Sequence, residues 1–560
     1  MPSTPAPAAS GGAAEADAQD GQEGATSEGA AKAAEPPGKP TPPGARRTDL
    51  PVVAVSGGLL AAFVVVALVT PGGTGTVVTK LFDAAARWFG PLWQVLLLAF
   101  FVVAVALAFS RYGRVRLGGF GRPEYRRFQW IAMIMSTLLA GGGVFFAAGE
   151  PVQHFAETPP YYEGVEAGSN AARDSALAQS FAHWGFLAWA VLGTLGTIVL
   201  MRAAEKGMPL RPRTLLYPLV GERIVHSRLG KAVDVVCIIA VVAGTVGPIG
   251  FLGLQVSYGL SHVFGIPNSY PVQLGIIVLL TVVAVTSVIT GIHRGIQILS
   301  RFNLWLAGLT MVVLLALGSV GFVLDGFLAG FGEYARDFVP LALGREDQGW
   351  LGTWTIFYFG WFLGYGPLMS IFVARISRGR TLRDLVCSTA LLSPVATMVW
   401  FSVFGGTGIF LEQKNPGAIS GPLEAVGMDA AVVAMADNLP LSTAVAAMVL
   451  LLTLTFVVTT TDSMSYSIAT AGTESGEPSV AVRAFWALLM GAAAAVLIVV
   501  GDGGITALQS FIVVTAVPVA FVMLPTLWTA PRMAREMAEE QGIAAPKATP
   551  PAETAANSGS

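Results

Sequence analysis

Residues 354–381, WTIFYFGWFLGYGPLMSIFVARISRGRT, set aromatic rings and glycines in an apolar run and close it with three arginines. Rings gathered inside a membrane can hold a desolvated organic cation, each good contact contributing about 2 kcal/mol. A second run, STLLAGGGVFFAAGE at 136–150, places Gly141, Gly142 and Gly143 ahead of Phe145 and Phe146. Glycines in such a segment let helices pack closely, or let a helix unwind so that its carbonyls and amides face a ligand, and both readings stay open. A third, TLTFVVTTTDSMSY at 453–466, collects hydroxyls around Asp462 in an otherwise apolar stretch. Hydroxyl oxygens are hard ligands suited to Na⁺, although they also commonly bond back to carbonyls one turn earlier. Asp462, whose burial in a bilayer costs about 2.5 kcal/mol or more, is expected to cap a helix or bond to its hydroxyl neighbours. In AHWGFLAWAVLG at 182–193, Trp184 and Trp189 diverge by about 140° on a continuous helix. One of them is then free to face a pocket while the other meets lipid or a neighbouring helix.

The elements carrying these groups are membrane helices. The chain has 560 residues, 54% hydrophobic and 12% charged, with mean hydropathy +0.65, whereas soluble domains are about 25% charged. The net charge of −2 gives no reason to expect a nucleic-acid partner. Cys237 and Cys387 belong to no Cys/His constellation and read as small buried hydrophobes. Residues 1–49 are rich in Ala, Pro, Gly, Ser and Glu and are expected to form a disordered cytoplasmic tail without a cleaved signal peptide. Residues 531–560 turn polar again and read as a loose cytoplasmic C-terminal tail.

Between the tails, residues 50–530 form a single membrane domain with about twelve apolar runs, at about 52–70, 90–110, 129–149, 177–201, 232–262, 271–292, 302–325, 350–373, 384–411, 440–471, 482–500 and 505–530. Each is long enough to cross about 30 Å of hydrocarbon as a helix. None alternates as a barrel strand would, so the fold class is an all-α integral membrane protein. Basic residues crowd the loops after the second, fourth, sixth and eighth runs, among them Arg111, Arg126, Arg202, Arg213, Arg294, Arg378 and Arg380. The loops at 71–89, 150–176, 326–349 and 412–439 hold few, and several carry acids such as Glu150, Glu157, Glu346 and Asp347. The positive-inside rule then puts both termini in the cytoplasm.

The runs GRPEYRRFQW (121–130), Glu150-Pro151 after the glycines, HWG (183–185), LLYPLVGER (215–223), GIHRGIQILSRFN (291–303), WTIFYFGW (354–361), ARISRGRT (374–381) and TTTDS (459–463) occur in this order. Together they resemble the betaine/choline/carnitine transporter (BCCT) family over about residues 50–530. The resemblance implies a secondary transporter with two LeuT-like inverted five-helix repeats, about 129–325 and 350–530, preceded by two N-terminal helices. It implies a bacterial inner (plasma) membrane location and a homotrimer built partly through an amphipathic helix, here GFLAGFGEYARDFVPLAL at 326–343. The solutes implied are betaine, choline, carnitine, ectoine and sulfonium analogues, moved with Na⁺; H⁺ coupling and exchange are the alternatives.

Carried over by position, the substrate-binding residues are Trp184, Trp361, Phe362 and Tyr365, with Gly141 and Gly142 from the glycine run. The chain departs from the family pattern, with Phe362 and Tyr365 standing where Trp is usual and Leu192 where an aromatic is common. Phe is a poorer cation–π face than indole, so the resemblance implies a weaker or reshaped cage. The Na⁺ ligands implied are the hydroxyls of Thr459 and Thr460 with the carbonyls of Ser136 and Leu139; a second position near Thr245 is weaker because Leu368 replaces an aromatic. No other cofactor is implied. The C-terminal tail offers Arg532, Arg535 and Lys547 against Glu536, Glu539 and Glu540, which disfavours osmotic activation through a basic tail. His154, His183, His226, His262 and His293 are scattered along the sequence, giving an enzyme no clustered acid/base set. The spans lack the polar path of a channel, and a transporter-like solute receptor would need a signalling device.

Overall fold

The structure is a computed structural model that describes residues 47–119, 121–138, 142–290, 293–475, 477–502 and 504–543. The end of the expected disordered tail is ordered: Arg47–Thr48 (β1) pairs antiparallel with Thr473–Ser475 (β2), and Asp49 caps the first helix by accepting from the Val52 amide. Helix α1 (Leu50–Val69) is followed at once by α2 (Pro71–Phe109), so the loop expected at 71–89 is helical. Its 39 residues span about 58 Å, longer than the hydrocarbon is thick.

Among the described residues, ten helices are long and apolar enough to cross a membrane, and a bent pair, Arg301–Leu317 and Val320–Arg336, makes eleven. The expected third span is described as α3 (Arg127–Leu138) and α4 (Gly142–Ala156), with 139–141 outside the described residues. The twelve runs read from hydropathy thus correspond to these ten, the bent pair and the run that holds α3 and α4.

The expected fourth span is in three pieces: α5 (Asn170–Trp184), α6 (Phe186–Gly193) and α7 (Leu195–Glu205). At Gly185 a Cβ would collide with the Phe181 carbonyl oxygen and the Met398 methyl, so the chain can turn there only with glycine. The break falls between Trp184 and Trp189, and the divergence expected for a continuous helix no longer applies. Next come α8 (Arg228–Phe264), closed by Gly265 at φ +70, α9 (Tyr270–Thr290) and α10 (His293–Leu317). α11 (Val320–Arg336) bends away from α10 by 108°. It buries Val323, Gly326, Gly330 and Tyr334 while leaving Leu324 and Leu328 exposed.

A wide π-helical turn, Gly352–Ile356, leads into α12 (Phe357–Ile376), and another, Cys387–Leu392, into α13 (Ser393–Lys414). Then follow α14 (Ser442–Ala471), α15 (Val480–Val500), α16 (Thr506–Met523) and α17 (Thr526–Glu540). In the interior α12 lies on α16 and α6, α13 on α4, and α14 on α8. Backbone polar groups in a bilayer must be satisfied inside the protein, which is why these apolar runs fold as helices and interrupt only where they are buried.

Charged groups fasten one end of the bundle. Asp49 Oδ2 accepts from Arg211 Nη1 at 3.0 Å and Arg213 Nη2 at 2.8 Å, and Asp234 Oδ2 accepts from Arg213 Nε at 2.8 Å, all four side chains being buried. Two acids and two bases balance. The stretch after 530, expected to be loose, continues as α17: Glu540 pairs with Arg202, Glu536 lies 3.8 Å from Lys206, and Gln541 Nε2 donates to the Arg116 carbonyl at 2.8 Å.

Candidate functional site

The structure brings Trp184, Trp361 and Phe362 together. Trp184 ends α5, one residue before the Gly185 break, and faces two rings on successive positions of α12. Its ring centroid lies 6.0 Å from Trp361, nearly perpendicular, and 5.5 Å from Phe362. Phe146 of α4 (6.0 Å), Tyr358 of α12 (5.1 Å) and Phe401 of α13 (5.0 Å) also lie against Trp184. Gly142 fits beneath: a Cβ there would collide with the Cη2 atoms of both Trp184 and Trp361. The first residue of α4 is therefore the floor of an aromatic cluster and has room only for hydrogen.

Hydrogen bonds fix the rings. Trp361 Nε1 donates to the Gly244 carbonyl of α8 at 3.1 Å, and Trp400 Nε1 of α13 donates to the Gly143 carbonyl at 2.8 Å, holding the start of α4. Trp189 is turned elsewhere, donating to Thr397 Oγ1 at 3.1 Å. Tyr365 faces α8: its ring fills the space a Cβ on Gly244 would need, and its hydroxyl meets Thr245 Oγ1 at 3.0 Å. Leu192 is buried on α6. Gly141 lies outside the described residues.

Behind Trp184 lies a group that hydropathy placed in a loop. Glu150 is fully buried on α4, and its Oε2 accepts from Trp184 Nε1 at 2.8 Å and from the Tyr358 hydroxyl at 2.7 Å. Its Oε1 is 2.7 Å from His183 Nδ1 and 3.8 Å from His154 Nε2. The histidines, scattered in sequence, are thus partly gathered: His154 and His183 lie with centroids 5.9 Å apart. Candidate ligand atoms of Glu150, His154 and His183 fall within 4.8 Å of one another. Glu150 and His183 are hydrogen-bonded to each other, whereas the buried His154 Nε2 has no hydrogen-bond partner among the described residues. His183 Nδ1 must carry the proton it gives to the carboxylate, and Nε2 faces the Gln179 amide and the Thr355 hydroxyl, each at 3.0 Å. Gln179 and Thr355 also line a shallow surface cleft with Tyr161, Glu346, Asp347 and Trp350. The sequence signal for this network was the Glu-Pro pair and the HWG triplet, noted only as family marks.

In the hydroxyl-rich segment of α14, Thr453, Thr455, Thr459 and Thr461 each donate to a carbonyl one turn earlier, the ordinary arrangement in membrane helices. Thr459 Oγ1 also accepts from Asn303 Nδ2 of α10 at 3.0 Å, a partner that sequence reasoning missed. Thr460 is the exception, since its Oγ1 is buried with no hydrogen-bond partner among the described residues. Asp462 neither caps a helix nor serves only its hydroxyl neighbours; it lies 3.6 Å from Arg483 of α15. Ser136 sits in the last turn of α3, and Leu139 lies outside the described residues. Thr245 Oγ1 is already engaged by the Val241 carbonyl and Tyr365, which leaves the weaker second ion position without a free hydroxyl.

Comparison with known proteins agrees with this architecture. Residues 51–539 match the family described as BCCT, betaine/carnitine/choline family transporter. Glycine betaine transporter 2 of Vibrio parahaemolyticus is 48% identical over 494 residues, covering 88% of this chain and 91% of that protein. The ectoine/hydroxyectoine transporter of Virgibacillus pantothenticus is 31% identical over 490 residues, 86% of this chain and 96% of that protein. A glycine betaine transporter of Bacillus subtilis is 31% identical over 443 residues, 78% and 85% of the two chains. The chain belongs to the betaine/carnitine/choline transporter family: it is a multi-pass membrane transporter and not an enzyme.

Proposed function

Because the chain is a transporter of this family, we propose that it imports a compatible solute of the quaternary ammonium or related zwitterion class, glycine betaine before choline, carnitine, ectoine or a sulfonium analogue, driven by Na⁺. The observation that carries the solute class is the cluster of Trp184, Trp361 and Phe362 over Gly142, presenting indole and phenyl faces in a water-excluded interior. Such faces attract a quaternary ammonium without demanding hydrogen bonds that it cannot make. Because the rings contact one another, solute entry parts them, so binding and helix movement are one event. The similarity to a glycine betaine transporter along nearly the whole chain supports the same class.

For the ion, the buried and unpartnered Thr460 Oγ1 is the supporting observation, beside Thr459 on the same turn. A hydroxyl oxygen without a donor inside a membrane is destabilising unless a cation meets it. The reading keeps both termini in the cytoplasm of a bacterial cell and a homotrimer in which α11, with exposed Leu324 and Leu328, meets its neighbour.

Uptake of radiolabelled glycine betaine, choline, carnitine, ectoine and a sulfonium analogue into proteoliposomes, with and without an inward Na⁺ gradient, tests both parts. Accumulation of at least one solute should depend on Na⁺, and Thr460→Ala should raise the Na⁺ concentration for half-maximal uptake on the order of tenfold, the cost of one charge-assisted contact. No uptake of any of the five under Na⁺, H⁺ or counterflow conditions would overturn the solute class. Uptake indifferent to Na⁺ and to Thr460→Ala would overturn the coupling.

A further inference from the structure

We propose that Glu150 is the positioning and specificity residue of the aromatic cluster: its carboxylate fixes Trp184 and Tyr358 and places a negative charge behind the rings that selects solutes bearing an ammonium charge over isosteres that lack it. The inference rests on the proposed solute class and adds a residue and a physical cause to it.

Geometry makes the first case. One oxygen, Glu150 Oε2, receives the indole N–H of Trp184 from α5 and the hydroxyl of Tyr358 from α12, at 2.8 and 2.7 Å. The two helices that supply the cluster's walls are therefore tied through a third, α4. Tyr358 itself rests against Trp184 at 5.1 Å and Phe146 at 5.4 Å, so moving the carboxylate moves three rings. His183 holds the other oxygen at 2.7 Å and is in turn held by Gln179 and Thr355. The carboxylate cannot swing without breaking this chain.

Charge makes the second case. Among the described residues no Lys or Arg pairs with Glu150; its only ion-pair candidates are His183 and His154, at 2.7 and 3.8 Å. A carboxylate in a membrane interior is costly when its charge is left unbalanced. Trp184 Nε1 and the Tyr358 hydroxyl both donate to Oε2, and His183 Nδ1 lies 2.7 Å from Oε1, a ring of partners that suits a carboxylate as acceptor. The indole N–H given to the carboxylate polarises the Trp184 ring and makes its face more negative, and the charge itself attracts a cation over the short, low-dielectric path through that ring. A trimethylammonium group seated on Trp184 brings a positive charge to the ring that this carboxylate holds.

The test compares glycine betaine with tert-butylacetate, its carbon isostere of nearly the same shape and without the positive charge, as competitors in proteoliposome uptake and in binding to purified full-length protein. In the wild type betaine should bind at least about tenfold more tightly than the isostere. Glu150→Gln keeps the size and one acceptor but removes the charge; it should raise KM for betaine about tenfold while the isostere's affinity changes less than about twofold, so that the preference collapses. Tyr358→Phe removes one hydrogen bond and leaves the charge; it should weaken both ligands by the same factor and keep the preference. Combining Glu150→Gln with Trp184→Phe should cost less than the product of the single effects, because the carboxylate acts through that ring. Equal losses for both ligands in Glu150→Gln, or a preference abolished by Tyr358→Phe, would overturn the inference. If Glu150→Gln does not fold, the Tyr358→Phe preference decides alone. A wild type that neither binds nor transports any methylated ammonium solute would instead remove the solute class on which the inference rests.

Discussion

Gly142→Ala is the smallest change that reaches the aromatic cluster. The new methyl would sit 2.7 Å from Trp184 Cη2 and 3.0 Å from Trp361 Cζ3, with Trp361 Cη2 closer still, whereas ordinary contact begins near 3.4 Å. The Trp184 ring tip must therefore retreat by at least 0.7 Å, the difference between 3.4 and 2.7 Å. It has little room: Glu150 holds its Nε1 at 2.8 Å and Phe401 lies on its other side at 5.0 Å. Trp361 is pinned by its bond to the Gly244 carbonyl. Overpacking of this kind costs about 1–3 kcal/mol. If the strain falls on the ring arrangement that receives solute, it corresponds to a KM increase between about fivefold and a hundredfold. Initial-rate uptake over a range of solute concentrations separates KM from Vmax. Gly58→Ala, where a Cβ meets nothing within 4 Å, serves as the control. A Gly142→Ala transporter with unchanged KM and unchanged selectivity would show that the floor of this cluster is not part of the solute site.

Two further predictions concern charges outside the spans. Removing Asp49 by substitution to Asn leaves Arg211 and Arg213 short of a partner in a buried network and should destabilise the fold by about 3–5 kcal/mol, read as a lower melting temperature in detergent. Burial opposes ionisation of Asp49, but Arg211 and Arg213 prevail and hold its carboxyl below the usual value of 3.8, so its contribution is complete above that value and is lost as pH falls through the lower folded one. Asp429, in the turn Met428–Ala430 between α13 and α14, has the opposite sign: burial pushes its carboxyl from 3.8 up to about 6. Its folded form holds the proton more tightly, so stability present below 3.8 declines as pH rises through 6, by up to about 3 kcal/mol. Asp429→Asn should therefore raise the melting temperature at pH 7.5 and make little difference at pH 4.

Length and hydropathy carried most of the fold, because a bilayer admits few solutions for an apolar run of twenty residues. What they could not carry was interruption. The breaks at Gly185 and Thr194, the 108° bend before α11 and the turn at Gly352–Ile356 all lie within segments that read as unbroken. Residues 71–89 read as a loop because Lys80, Asp83, Arg87 and three glycines lower the hydropathy, yet they form the first half of the α2 helix. Aromatic residues in the site were visible as types, and Trp184, Trp361 and Phe362 do meet. Tyr365 carried the same signal and turns to Thr245, a choice that depends on where α8 passes. Glu150 was misread for a simple reason: an acid at the end of an apolar run is assigned to water. Only the three donors arriving from α5 and α12 show that it is inside.

The interruptions and the cluster belong together. Trp184 is the last residue before the Gly185 break, and Phe357 begins α12 directly after the wide turn. A continuous helix fixes its side chains to the motion of the whole rod, whereas a break lets one segment pivot while its neighbour stays packed. Thr355, inside the wide turn, bonds His183, and His183 bonds Glu150, so a shift of that turn is passed to the ring of Trp184 through three hydrogen bonds. The cleft at Tyr161, Trp350 and Thr355 adjoins the same turn. Rigid helices around a broken centre are thus the arrangement that lets a buried aromatic site open without unpacking the bundle.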